Sequence, residues 1–185
     1  TEFELILNGV DITSSTTVPL NLTKKVDREI IVANGTTNVL TDNTDSDGKA
    51  VINTKGTTTI SGNGSLTVNA NKKHGISSDN DININGVTLT INHSGEASKG
   101  LKSDTNITIV DGDITIVSSG TLTLEELDNG YDATYCTAIG ADGNFEMFDG
   151  KLDITLPVSN DAGRGIKVDG NIIIKTNNRS YITIF

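Results

Sequence analysis

Apolar residues along this 185-residue chain alternate with polar ones over runs of four to six. They never hold the i, i+3, i+4 spacing across a helix-length window, so the pattern predicts short β-strands and almost no helix. Ile, Val and Thr fill the runs, and Gly, Asn and Asp punctuate them, as strands and tight turns require. The pattern also repeats. "KKHGISSDNDINI" at 72–84 returns as "SKGLKSDTNITI" at 98–109 and as "GRGIKVDGNIII" at 163–174.

With the Asp of each copy as position zero, the repeats fall on Asp79, Asp104, Asp142 and Asp169, spaced by 25, 38 and 27 residues. Three residues earlier stand Ile76, Leu101, Ile139 and Ile166; three later, Ile82, Ile107, Phe145 and Ile172; five later, Ile84, Ile109, Met147 and Ile174. These are expected to point inward. A second strand follows Gly86, Gly112 or Gly150, where a corner is expected, and carries Leu89 and Ile91, Ile114 and Ile116, or Leu152 and Ile154. A degenerate copy, "VINTKGTTTISGNGSLTV", has Lys55 in place of the Asp. Units of this period that each bury one stripe stack into a solenoid. Parallel crossovers are right-handed in the great majority of cases. The expected fold is therefore all-β, a single right-handed parallel β-helix over 1–185. Residues from about 1 to 48 supply the amino-terminal coils and cap, those from about 49 to 176 the repeat coils, and an insertion lies at about 118–137.

At plus two the column reads Asp81, Asn106, Asn144, Asn171. Stacked, these side chains form a turn ladder that bonds neighbouring backbone. Residues at minus two and zero face outward on one side of each strand. The zero column is Asp79, Asp104, Asp142 and Asp169; the minus-two column is Ser77, Lys102, Gly140 and Lys167, with His74, Lys99 and Arg164 at minus five. The strand spacing is about 4.8 Å, and like charges about 5 Å apart cost roughly 3 kcal/mol at an effective dielectric near 20. The aspartates need counterions. Two remain open from the residues alone, the flanking lysines or Ca²⁺, which takes six to eight oxygen ligands.

Composition narrows the classes. There are 14 Lys+Arg against 24 Asp+Glu, a formal charge of −10, so a nucleic-acid backbone is repelled. No run reaches the roughly 18 apolar residues of a membrane span. The start, "TEFELILNGV", lacks the basic and apolar regions of a signal peptide, so any export signal is expected to have been removed. Cys136 stands alone. "NTDSDG" at 43–48 begins like a calcium loop but has Thr54 where the twelfth-position Glu belongs, so it is not read as an EF-hand. His74 and His93 have no partner at a zinc spacing, and no nucleophile elbow, P-loop or dinucleotide fingerprint is present. The insertion, "SSGTLTLEELDNGYDATYCT", carries acidic residues with Tyr131 and Tyr135, and a lengthened coil is where a solenoid places recognition.

The text "LILNGVDITSSTTVPL", "ANGTTNVLTD", "TTISGNGSLTV", "HGISSDNDININGVTLTI", "KGLKSDTNITIVDGDITI" and "RGIKVDGNIII" resembles the secreted bacterial carbohydrate-binding β-helix proteins, whose clostridial prototype has a polysaccharide-lyase-like fold. The resemblance runs from about residue 5 to 174. It implies a right-handed parallel β-helix, bound calcium, a secreted or cell-surface location, and affinity for cell-wall polysaccharide such as cellulose or acidic pectin. It implies no established catalytic site. Asp79, Asp104, Asp142 and Asp169 match the family's recurring positions, and we assign them as the metal candidates. The absence of Trp, with 3 Tyr and 4 Phe, leaves little for a flat aromatic platform on crystalline cellulose.

The expected function is non-catalytic binding of cell-wall or uronic-acid polysaccharide by a monomer, with calcium bridging the carboxylates. Lys99, Lys102, Arg164, Lys167, Tyr131 and Tyr135 are the expected ligand-binding residues. Two alternatives stand beside it. A calcium-dependent lyase would use Lys102 or Lys167 as the base that removes a C5 proton, but identical spacing on every coil suits a lattice better than one asymmetric catalytic cluster. A structural or adhesive solenoid would present its Thr-x-Thr strands as a hydrated wall.

Overall fold

The computed structural model describes residues 3–156, 163–175 and 181–185, and the statements below concern those residues. Strands make up 62% of them and there is no helix; parallel sheets form a β-solenoid of about six turns. Each turn carries three short strands, so the coil is a three-sided prism.

The first face stacks β1 (Phe3–Leu7), β4 (Arg28–Val32), β7 (Thr58–Ser61), the starts of β10 (Ile82–His93) and β12 (Ile107–Ser118), then β16 (Phe145–Met147) and β19 (Ile172–Ile174). The second face stacks β2 (Asp11–Thr13), β5 (Thr37–Thr41), β8 (Ser65–Ala70), the ends of β10 and β12, then β17 (Lys151–Thr155) and β20 (Tyr181–Ile184). The third is a six-stranded sheet of β3 (Leu20–Leu22), β6 (Ala50–Thr54), β9 (His74–Ser78), β11 (Lys99–Ser103), β15 (Cys136–Ala141) and β18 (Gly163–Val168). The insertion folds outward as an antiparallel hairpin, β13 (Thr123–Leu127) with β14 (Gly130–Thr134).

Registers follow the columns read from the sequence. Ile76 pairs Leu101, Leu101 pairs Ile139, and Ile139 pairs Ile166. Ile82, Ile107, Phe145 and Ile172 are in register, as are Leu89, Ile114, Leu152 and Ile182. The degenerate copy joins them, with Ile52 on Ile76 and Ile60 on Ile84. In the central coils these side chains are fully buried, and one continuous apolar core fills the prism. Each such side chain contributes about 1.5–3 kcal/mol on burial. At the amino-terminal end Arg28 takes an inward place; its guanidinium donates to the carbonyls of Lys24 and Val26.

Corners are set by two devices. Gly86, Gly112 and Gly150 all adopt positive φ, and a Cβ on Gly150 would lie 2.3 Å from the Gly112 carbonyl oxygen, so the turn admits only glycine there. At the other corner the plus-two ladder forms. Asp81 Oδ1 accepts from the Asn106 N–H at 3.0 Å, Asn106 Oδ1 from the Asn144 N–H at 2.9 Å, and Asn144 Oδ1 from the Asn171 N–H at 2.8 Å. Each side chain supplies the acceptor that the next coil's turning backbone lacks.

Candidate functional site

The third face gathers most of the singled-out charges. Its strands turn Ile76, Leu101 and Ile139 inward, and the alternation of the pleat sends the minus-two side chains of Lys102 and Lys167 out, while Ser77 in the same column is buried. The zero residue follows the last strand residue and keeps the parallel register. Asp104 N–H donates to the Ser78 carbonyl at 3.1 Å, Asp142 N–H to that of Ser103 at 3.2 Å, and Asp169 N–H to that of Ala141 at 3.2 Å. The four aspartates are therefore stacked and exposed, as the spacing predicts.

Lysine engages part of this column. Lys102 forms an ion pair with Asp104, and Lys167 with Asp169. Both pairs join residues two apart on one strand, which the pleat places side by side. The cation column has a gap at Gly140, between Lys102 and Lys167, and Lys99 fills it. A Cβ on Gly140 would lie 2.8 Å from Lys99 Cδ, 3.1 Å from Cε and 3.3 Å from Nζ, so the Lys99 chain lies across the glycine. Three ammonium groups thus stand in a row where the sequence shows an interruption. Burial holds the Lys99 pKa below its ordinary value, and the neighbouring Lys102 and Lys167 lower it further, while Asp142 and Asp104 oppose them.

At the end of this row Arg164 places its guanidinium 4.0 Å from the centre of the Tyr135 ring, a cation–π distance. Of the two tyrosines of the insertion, Tyr135 belongs to the face. Tyr131 stands on the exposed hairpin, paired in register with Glu126. The sequence holds a signal for that hairpin, the turn text "LDNGY" between two alternating runs.

On the other half of the face the sequence singles out Asp79 and Lys55 but not the groove they line. Residues Asp47, Gly48 and Lys49 form a wall beside Asn21, Asn53, Lys55 and Asp79, with Val18 between, and enclose a groove. The wall is anchored to the preceding coil. Asp47 N–H donates to the Thr16 carbonyl at 3.0 Å and Ser46 Oγ to that of Thr17 at 3.1 Å, while Gly48 packs so tightly that a Cβ would meet Val18 Cγ2 at 1.9 Å.

Beneath the third face, His74 and His93 are buried. Lys99 N–H donates to His74 Nδ1 at 2.9 Å, and burial, then Lys73, Lys99 and Lys102, push the His74 pKa down to about 3. His93 Nδ1 lies 2.8 Å from Ser98 Oγ, and burial pushes its pKa down to about 4. Cys136 is buried beside them, with Ser98 and Ser118 hydroxyls each 3.2 Å from its sulfur. Of the three side chains His74 keeps slight exposure, while His93 and Cys136 have almost none.

The donor set for calcium is thin. The aspartates supply one carboxylate per coil, and those of Asp104 and Asp169 hold lysine ammonium groups. Among the described residues no three His, Cys, Asp or Glu side chains gather as a metal cluster. The column does not fit an ion that takes six to eight oxygens.

Comparison with known proteins bears on this face. Residues 1–183 match the family described as "Carbohydrate-binding domain-containing protein". A protein of that description from Acetivibrio thermocellus is 39% identical over 100 residues, which take in 49% of this chain and 35% of the relative. The match thus spans about a third of the relative's length. A solved structure of the polysaccharide lyase-like protein from C. thermocellum, a gadolinium derivative, superposes with a TM-score of 0.59 and 26% identity, covering 98% of this chain and 75% of that one.

Proposed function

Because the chain belongs to the family of carbohydrate-binding domain-containing proteins, we propose that it binds acidic polysaccharide without cleaving it, on the lysine row of the third face. The observation that carries this reading is the row itself. Lys102, Lys99 lying over Gly140, and Lys167 place three ammonium groups on successive strands, and Arg164 stacked on Tyr135 ends the row. Neighbouring strands repeat at about 4.8 Å, so the six-stranded face offers roughly 24 Å of ruled surface to an extended chain.

Charge supports this placement. The whole chain carries −10 and repels a polyuronate, so binding needs a local offset. Lys99, Lys102, Arg164 and Lys167 supply it against Asp104, Asp142 and Asp169. No metal bridge is required, and none is invoked. Polygalacturonate cast into a native gel should retard the protein, and Lys102→Ala with Lys167→Ala should restore its mobility. Equal retardation of parent and variant would remove the row from the site.

One observation favours a second reading, a lyase acting on the same polymer. Lys99 holds its proton less firmly than an ordinary lysine, and a neutral amine is the base such a reaction needs. Lys102 and Lys167, the bases expected from the sequence, are instead each ion-paired with an aspartate of their own strand. Absorbance of unsaturated product on polygalacturonate, lost in Lys99→Met, would establish this reading. Silence in both proteins would leave binding as the function.

A further inference from the structure

The groove at the other half of the third face is independent of the lysine row, and its chemistry is different. Lys49 and Lys55 stand with Asp47 and Asp79 around it. None of the four forms an ion pair among the described residues, in contrast to Lys102 and Lys167. Two cations and two anions leave the groove with no net charge, so a polyanion gains nothing there, while a ligand with many hydroxyls finds donors and acceptors on all sides.

The floor narrows the class of ligand. Asn53 Nδ2 donates to Asn21 Oδ1 at 2.9 Å, so two side-chain amides stack from one coil to the next. In the register the next residue of that column is Ser77, which carries no amide. The stack is therefore open at Asn53, whose Oδ1 still accepts, and Lys55 beside it donates. A ligand amide has the complementary pair, an N–H and a carbonyl. The groove is otherwise polar, but Val18 offers one apolar side chain, which suits a methyl group. An N–H, a carbonyl and a methyl together describe an acetamido substituent.

From this we infer that the groove between the Asp47–Lys49 wall and the Asn21–Asn53 amide stack is a subsite for an uncharged 2-acetamido sugar. The acetamido N–H donates to Asn53 Oδ1, its carbonyl accepts from Lys55, its methyl rests on Val18, and ring hydroxyls donate to Asp47 and Asp79. The wall is anchored to the coil before it, so the groove is formed before the sugar arrives, which limits the ordering cost of binding.

The test uses calorimetric titration of the chain with two neutral probes of equal length, the β-1,4-linked tetramer of N-acetylglucosamine and that of glucose. The acetamido probe should bind at least tenfold more tightly. Asn53→Ala and, separately, Lys55→Ala should each abolish that preference, with melting temperatures close to the parent's, while Lys102→Ala leaves it intact. Equal affinity for the two probes, no binding of the acetamido probe, or a preference that survives both groove variants would overturn the inference. Galacturonate oligomers, titrated in parallel, report on the lysine row alone, so failure of one site is distinguishable from failure of the other.

Discussion

Gly140→Ala isolates the one contact on which the lysine row depends. The new Cβ would sit 2.8 Å from Lys99 Cδ and 3.3 Å from its Nζ. Those atoms are the flexible end of a long side chain, so the lysine swings away and the backbone stays. Gly140 is not among the glycines with positive φ, and alanine fits its strand without strain. The fold should melt within a few degrees of the parent, while the row loses its middle ammonium. One ammonium against one sugar carboxylate at about 4 Å is worth about 1 kcal/mol in water and about 4 kcal/mol at an effective dielectric of 20. Measured exposed pairs give about 0.2–1 kcal/mol. Lys99 is only half-buried, so about 1 kcal/mol is the appropriate figure, roughly a fivefold rise in Kd. Titration calorimetry with a galacturonate oligomer reads it directly. Lys99→Met should show the same loss, and the double variant no further loss, because both changes remove one contact. An unchanged Kd in folded Gly140→Ala would refute the argument that Lys99 completes the row.

Other perturbations address the fold and the counterion. Both buried histidines have pKa values below the ordinary 6.5, about 3 for His74 and about 4 for His93, so folding keeps them neutral. Their contribution is present above pH 6.5 and is lost as pH falls from there toward about 4 for His93 and about 3 for His74, by about 5 kcal/mol in total at pH 4.5. Chemical denaturation across that range should show the fall, and His74→Asn, which keeps an acceptor for the Lys99 N–H, should roughly halve it; an unaltered slope would refute the assignment. Asn106→Ala strips the acceptor from the Asn144 N–H and should cost about 1–3 kcal/mol in urea unfolding; Asn106→Asp keeps that acceptor but should also fall below the parent at neutral pH, because Asn106 Nδ2 donates to Asp81 Oδ1 at 3.0 Å and a second carboxylate there is repelled. Chelator should change neither the melting temperature nor galacturonate affinity, and a fall of several degrees would return calcium to the aspartate column.

The columns were legible because a coil's period forces them. Ile76, Leu101, Ile139 and Ile166 repeat in the sequence because each fills the same place in the prism, and Asn106, Asn144 and Asn171 because each caps the same turn. Exposure of the aspartates followed from strand alternation alone. What could not be read depends on side-chain paths between coils. Lys99 and Gly140 lie 41 residues apart, and only the stacked register brings the lysine across the glycine. Arg164 and Tyr135 were both singled out, but their stacking needs the hairpin to return the chain beside the neighbouring coil. The groove escaped for a similar reason. Its wall at 47–49 departs from the repeat, and its floor residues Asn21 and Asn53 belong to coils without the Asp signature.

The measurement that bears most directly on the lysine row is the affinity for polygalacturonate as a function of ionic strength, in the parent and in the variant carrying Lys99→Met, Lys102→Met and Lys167→Met together. The account predicts binding at low salt that weakens as screening rises, and its loss in the folded triple variant. Binding that ignores salt, or that survives removal of all three lysines, would contradict it.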